Sequence, residues 1–220
     1  MQVFSRFDNP SDCGDQPAPC ALSYTSDQIR GLERVYALRS TLAIASVNMS
    51  IASRVAPDEG GLFPSDCDAS FPAHMAAIDK LRAAGIATVV ASGNDGLDGS
   101  VRAPACVSSA VSVGSTTKAD RVSPFSNHAG LVELLAPGSA ITAAATGGGY
   151  QARSGTSMAT PHVAGAWAVL RQGKPSAGVS EILEALACTG KPVSRAGVAK
   201  PRIDVLKALN VLRSPATGCS

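Results

Sequence analysis

Residues 153–170 read RSGTSMATPHVAGAWAVL, a serine set among small residues at the mouth of an apolar helix. Gly155 allows a tight backbone turn, Thr156 or Ser157 can cap the helix, and Pro161 falls in or near the first turn, where a missing N–H does least harm. After His162 the residues Val163, Ala164, Ala166, Trp167, Val169 and Leu170 leave no polar face, which predicts a helix buried through the middle of a domain. The hydroxyl of Ser157 then stands at a helix N-terminus, where free N–H groups and positive potential stabilise a negative oxygen. Such a serine is a candidate nucleophile.

Around this stretch, short apolar segments alternate with helical ones. Amphipathic spacing predicts a helix from Ser26 or Asp27, either of which can cap it, to Leu38. Phe71–Ala84, Ser180–Ala187 and Ile203–Leu212 read as further helices, and Leu42–Ile51, Ile86–Ala91, Val107–Gly114 and Leu131–Ala136 as strands. Leu42–Ile51 is continuous and rich in β-branched residues, as a strand covered on both faces is. Met1–Phe7 predicts one more short strand, followed by a polar loop over 8–25. The alternation argues an α/β fold with a parallel sheet and right-handed crossovers. With 220 residues, 45 % hydrophobic and 16 % charged, one domain with a sizeable core is expected. Its parts are 1–41, the sheet and loop segments of 42–150, and the helical remainder 151–220.

Composition narrows the partners. A net charge of +2 without a basic stripe, and 4 % aromatic residues, argue against nucleic acid. No apolar run approaches the ~20 residues that span a bilayer, so no membrane is implied. The start MQVFSRFDNP lacks the basic and apolar parts of a signal peptide, so any targeting segment is expected to lie outside these residues. The 6 cysteines fit no zinc spacing and favour an oxidised, exported protein, secreted or periplasmic. Of the pairings open to them, Cys13 with Cys20, Cys67 with Cys106, and Cys188 with Cys219 are favoured, because each would tie down a loop or tail poor in apolar residues. Gly147, Gly148 and Gly149 suggest a phosphate loop, but no GK[ST] follows them.

The 11 residues GTSMATPHVAG resemble, in register, the serine-nucleophile motif of the subtilisin-like serine proteases. The resemblance implies a three-layer α/β subtilisin-like fold and peptide-bond hydrolysis through an acyl-serine, with a polypeptide as substrate. By the same resemblance VVASGNDG, residues 89–96, matches the segment whose asparagine completes the oxyanion hole, which gives Asn94 that role beside the N–H of Ser157. VNMSIAS, residues 47–53, is similar to the family's VINMSLG, whose extended backbone pairs with substrate; Ser50, Ile51 and Ala52 carry over, Ala52 standing where glycine is usual. Ala91, Ser92 and Gly93 match the opposite wall of the pocket for the residue before the scissile bond.

The family's remaining motifs, DTG and HGTHVAG with the catalytic Asp and His, do not occur in these 220 residues. His74, His128 and His162 are poor substitutes by position. The domain is therefore expected to be N-terminally incomplete, its sheet short of a central strand, with the first strand either pairing with 42–51 or hanging loose. The expectation is a serine endopeptidase by family whose isolated chain is nearly inactive. The chemistry needs no cofactor; structural calcium is implied by resemblance without ligands that a motif can place, and the oligomeric state is left open. Two other readings compete. A non-catalytic peptide-binding module could keep the groove, and an α/β-hydrolase could read GTSMA as a nucleophile elbow, although Ala159 replaces the glycine expected there and His162 is the sole histidine after Ser157.

Overall fold

The computed structural model describes residues 2–13, 17–53 and 61–214. The chain divides into two compact units, Met1–Ala43 and Ile44–Ser220. In the first, β1 (Ser5–Phe7) pairs antiparallel with β2 (Cys20–Leu22), Ser5 opposite Leu22. The short helix α1 (Pro10–Cys13) lies between them, and the Cys13–Cys20 disulfide closes the connection. The initial strand thus neither joins the segment 42–51 nor hangs loose, because a partner stands within the stretch read as loop. Three residues are too few to show alternation, which is why β2 escaped a reading by period.

Helix α2 (Thr25–Leu38) begins one residue earlier than its expected caps. Tyr24 occupies the cap position without a side-chain bond. Ser26 and Asp27 instead lie in the first turn, where Asp27 faces the positive end of the helix.

The second unit contains β3 (Ser46–Met49), β4 (Leu62–Phe63), α3 (Pro72–Ala83), β5 (Ala87–Ala91), β6 (Val101–Arg102), β7 (Val111–Thr116) and β8 (Leu134–Pro137). A hairpin of β9 (Ile141–Ala144) and β10 (Tyr150–Arg153) leads into α4 (Thr156–Gly173), followed by α5 (Val179–Thr189), β11 (Lys191–Arg195), β12 (Val198–Arg202) and α6 (Val205–Arg213). Six strands form one sheet in the order β11-β12-β8-β7-β5-β3, parallel throughout except for β11. Ala87, Val89, Val111, Val113, Leu134 and Ala136 alternate onto one face, against Val163, Trp167 and Leu170 of α4 and the apolar sides of α5 and α6. Thr88 and Val90 point to the other face, where α3 packs on β5 with Ile78 and Leu81 buried. Helices cover both faces of a mostly parallel sheet, so the three-layer α/β architecture is present.

Several expectations need correction. The strand expected over Leu42–Ile51 shortens to Ser46–Met49 and lies at the sheet's edge, with Leu42 54 % exposed. An apolar run reports burial somewhere and cannot distinguish a central strand from an edge one. The strand expected from Val107 begins at Val111, the preceding residues being turns. Helix α4 is not buried all round: Val163, Ala166, Trp167 and Leu170 face the core, but Val169 is 49 % exposed and Pro161, His162, Gly165 and Ala168 are exposed as well. Composition concealed this, since small apolar residues occupy both sides. The β11–β12 hairpin was not foreseen either, because its turn, Ala196–Gly197 with φ of 48° and 80°, lacks the usual Asn-Gly signal. The triple glycine belongs to the hairpin connection between β9 and β10.

Two expected disulfides are formed, Cys13–Cys20 and Cys67–Cys106. The third, Cys188 with Cys219, involves a residue outside the described ones. Among the described residues no helix is long and apolar enough to cross a membrane.

Candidate active site

Ser157 is the second residue of α4, and Gly155 takes the cap position, so neither Thr156 nor Ser157 caps the helix. The cap's role passes to another chain segment. Asn94, just beyond the C-terminal end of β5, accepts through Oδ1 from the N–H of Thr156 at 2.8 Å and from its hydroxyl at 2.9 Å. These two donors require an oxygen, so the carboxamide is oriented with Nδ2 turned away from Thr156. Among the described residues neither that Nδ2 nor the N–H of Ser157 donates a hydrogen bond. A Cβ placed on Gly155 would stand 3.6 Å from Asn94 Nδ2 and 3.7 Å from Ser157 N, so the two donors border one small volume that glycine leaves open. Two unengaged N–H donors near one another beside a serine hydroxyl are the groups from which an oxyanion site can be built.

Pro161 is the sixth residue of α4, just past its first turn. Having no N–H, it cannot bond the carbonyl of Ser157 four residues back. The hydroxyl of Ser50 takes that carbonyl instead, donating at 2.8 Å. A helix defect thereby fastens Ser157 to the segment that follows β3. In return the Ser157 hydroxyl approaches the Ser50 carbonyl at 3.4 Å, its one partner among the described residues. Ser50, Ile51 and Ala52 leave the open edge of β3, half-buried.

Ala91 ends β5 and Ser92 and Gly93 follow it, all three buried. Ser92 donates through its hydroxyl to the Asn127 carbonyl at 3.0 Å, and Asn127 N–H returns to the Gly93 carbonyl at 3.0 Å. Gly93 adopts φ of 112°, and a Cβ there would come within 2.5 Å of Asn127 Nδ2, so a side chain is excluded on both grounds. Asn127 was missed from sequence. Its Oδ1 accepts from the N–H groups of Asp95 and Leu97 at 3.0 and 3.3 Å, and its Nδ2 donates to Asp95 Oδ2 at 2.9 Å, which sets the loop carrying Asn94. Within SPFSNHAG nothing marks it as more than a turn residue. The structure therefore brings Ser157, Asn94 and Ser50 together and ties the 91–93 segment to them through Thr156, whose hydroxyl also reaches the Gly93 carbonyl at 3.4 Å.

No histidine joins them. His162 is exposed, with Nδ1 held at 2.8 Å by the carbonyl of Met158 on its own helix. His74 is buried in α3 beside Phe71, and His128 is buried with Nε2 at 2.9 Å from the Val198 carbonyl. Burial pushes the pKa of both below the ordinary 6.5. Each is thus neutral in the fold down to a lower pH than in the unfolded chain, which takes up protons first as pH falls through about 6.5. Stability should decline below that pH by up to about 1.4 kcal/mol per pH unit for each histidine, until the folded pKa is passed. Urea denaturation at pH 7.5 and 5.5 checks this, and a His74→Phe variant should show a shallower slope; identical midpoints at the two pH values would contradict it. Among the described residues no three His, Cys, Asp or Glu side chains are grouped to hold a metal, so the calcium expectation gains no ligands.

The model of the subtilase family matches residues 21–200. The chain is similar to alkaline serine exoprotease A of Vibrio alginolyticus, 37 % identical over 177 residues, which are 79 % of this chain and 30 % of that protein. It is likewise similar to the extracellular serine proteinase of a Thermus species (strain Rt41A), 42 % identical over 124 residues, covering 54 % of this chain and 30 % of the relative. The chain thus spans 30 % of the length of these curated relatives. Among solved structures, a mutant of the protease domain of PatA superimposes with a TM-score of 0.70 at 26 % identity, over 86 % of this chain and 66 % of that one. A cold-adapted subtilisin-like serine proteinase gives 0.65 at 33 % identity, over 82 % and 61 %.

Proposed function

The chain belongs to the subtilase family, and from that premise we propose that it is the nucleophile-bearing part of an exported serine endopeptidase. Ser157 attacks the carbonyl of a polypeptide substrate, and the resulting oxyanion is held by Asn94 Nδ2 and the N–H of Ser157. Ser50, Ile51 and Ala52 pair with the substrate backbone as an added strand along the open edge beyond β3, while Ala91, Ser92 and Gly93 wall the pocket for the side chain before the scissile bond. The two disulfides and the extracellular relative support the exported location. The observation that carries the reading is the fixed carboxamide of Asn94, aimed by Thr156 at the same space as the Ser157 N–H. None of the three histidines is placed to take the Ser157 proton, so a base from outside these 220 residues completes the reaction. Calcium stays a family expectation without assigned ligands.

The test is slow covalent labelling by a fluorophosphonate at pH 9.5, where hydroxide can substitute for a base, located by mass spectrometry. The wild-type chain should label at Ser157, and Asn94→Ala should label about 10²-fold more slowly, the cost established for one oxyanion donor in subtilisin, a member of this family. Equal rates in the two proteins would remove Asn94 from the role, and labelling elsewhere than Ser157 would remove the nucleophile.

A further inference from the structure

Asn94 is bracketed by a single residue. The N–H of Asn127 donates to the carbonyl of Gly93, just before Asn94, and Asn127 Oδ1 accepts from the N–H of Asp95, just after it. Whatever fixes Asn127 therefore fixes the backbone from which the Asn94 carboxamide projects. The two segments that meet there, 95–99 and 123–128, are laced together by Gly96 N–H to the Phe125 carbonyl at 2.8 Å, His128 N–H to the Leu97 carbonyl at 2.9 Å and Gly99 N–H to the His128 carbonyl at 2.8 Å. Arg195, the last residue of β11, binds both of them from a third place in the chain. It donates from Nη2 to the Ser126 carbonyl at 2.7 Å and to the Leu97 carbonyl at 3.2 Å, from Nη1 to the Ser123 carbonyl at 3.1 Å, and from Nε to Asp98 Oδ1 at 2.7 Å. Among the described residues Arg195 is the one partner of the Ser126 carbonyl, which belongs to the peptide bond entering Asn127. The hairpin that carries Arg195 is anchored independently. His128 Nε2 lies 2.9 Å from the Val198 carbonyl, Lys200 Nζ donates to the Gly130 carbonyl at 2.7 Å, and Asp120 pairs with Lys191 at 2.8 Å and Arg202 at 3.0 Å.

We propose that Arg195 is a positioning residue for the oxyanion donor Asn94, acting through Asn127. This deepens the peptidase reading and rests on it. Three of the four acceptors are backbone carbonyls, Ser123 and Ser126 on one segment and Leu97 on the other, so the planar guanidinium sets the spacing of two segments as well as meeting a carboxylate. A lysine would present its donors from one nitrogen, within reach of Asp98 but without the fork that holds carbonyls on both segments at that spacing. Loss of the guanidinium leaves the Ser126 carbonyl without a protein donor, and the peptide before Asn127 relaxes toward water. The shift passes through Asn127 to the residues on both sides of Asn94. An oxyanion donor acts only within about 2.7–3.1 Å of the oxygen, so a small displacement of the carboxamide removes most of its effect.

The experiment measures the rate of fluorophosphonate labelling of the intact chain at pH 9.5 in a cycle of wild type, Asn94→Ala, Arg195→Met and the double variant. Arg195→Met should label about tenfold more slowly than wild type, a smaller loss than the ~10²-fold expected when the donor itself is removed. In the Asn94→Ala background the same substitution should change the rate by less than about twofold, because the group it positions is already gone. A general loosening of the fold, or loss of a positive charge felt directly by the oxyanion, would slow both backgrounds alike. Equal factors in the two backgrounds would therefore overturn the proposal, as would a wild-type rate in Arg195→Met alone. Arg195→Lys keeps the pair with Asp98, is gentler on the fold, and should still label several-fold more slowly; a wild-type rate there would contradict the role of the fork. If Asn94→Ala itself labels as fast as wild type, the oxyanion reading fails first, and this proposal with it.

Discussion

Purified alone, the 220-residue chain should be labelled at Ser157 by a fluorophosphonate at pH 7.5, and should hydrolyse peptides, on the order of 10⁶ more slowly than a subtilase with a complete triad. The figure is the cost of losing the histidine in subtilisin itself and is carried over by family membership. Its physical basis lies in this chain's own geometry. The Ser157 hydroxyl points toward the Ser50 carbonyl at 3.4 Å, an acceptor that takes no proton at neutral pH. His162 is turned onto the Met158 carbonyl, and His74 and His128 are buried in other parts of the unit. Oxyanion donors and binding then leave a residual ~10³ to 10⁴ over water. Labelling complete within minutes at pH 7.5 and abolished by Ser157→Ala would show that a base exists within these residues. Restoration of rapid labelling by a longer chain that supplies a histidine and an aspartate is the complementary outcome.

The second large effect concerns stability. Trp167 is fully buried between α4 and the sheet, among Val113, Leu134, Leu186 and Leu212 of the main core. Trp167→Ala should lower the unfolding free energy by about 3–5 kcal/mol, through lost burial and the cavity left behind. That is a large share of the 5–15 kcal/mol typical of a folded domain. Trp167→Phe should cost much less, under about 2 kcal/mol. Among the described residues the indole N–H has no hydrogen-bond partner, and phenylalanine removes that donor while keeping most of the apolar contact. Urea denaturation followed by far-UV circular dichroism is the measurement, since the chain's 1 tryptophan is the residue replaced. A loss below about 1 kcal/mol for the alanine variant would mean that the core closes around the gap.

The candidate site was legible as a set of residues: Ser157 behind Gly155 at a helix start is a candidate nucleophile by type, and Asn94 is a candidate through the resemblance of VVASGNDG to the family's segment. What was not legible was how they are held. The bond from Ser50 to the Ser157 carbonyl exists because Pro161 leaves that carbonyl without its helical donor, and the partner stands 107 residues away. Asn127, which fixes the Asp95 loop, is likewise 32 residues from Asp95 and 30 from Leu97, and its local sequence is that of an ordinary turn.

By itself, then, the sequence carried the α/β alternation in its local period and the family in the resemblance of its GTSMATPHVAG motif, and it favoured two pairings that form as disulfides; Ser157 and Asn94 entered as candidates on that same motif resemblance. Only the tertiary structure decided that β3 is an edge strand, that α4 keeps an exposed side and that β1 pairs with β2. Each of these depends on which segments lie side by side. Hydrophobic period records that a residue prefers burial, while the neighbour that buries it, or leaves it open, is set by long-range packing.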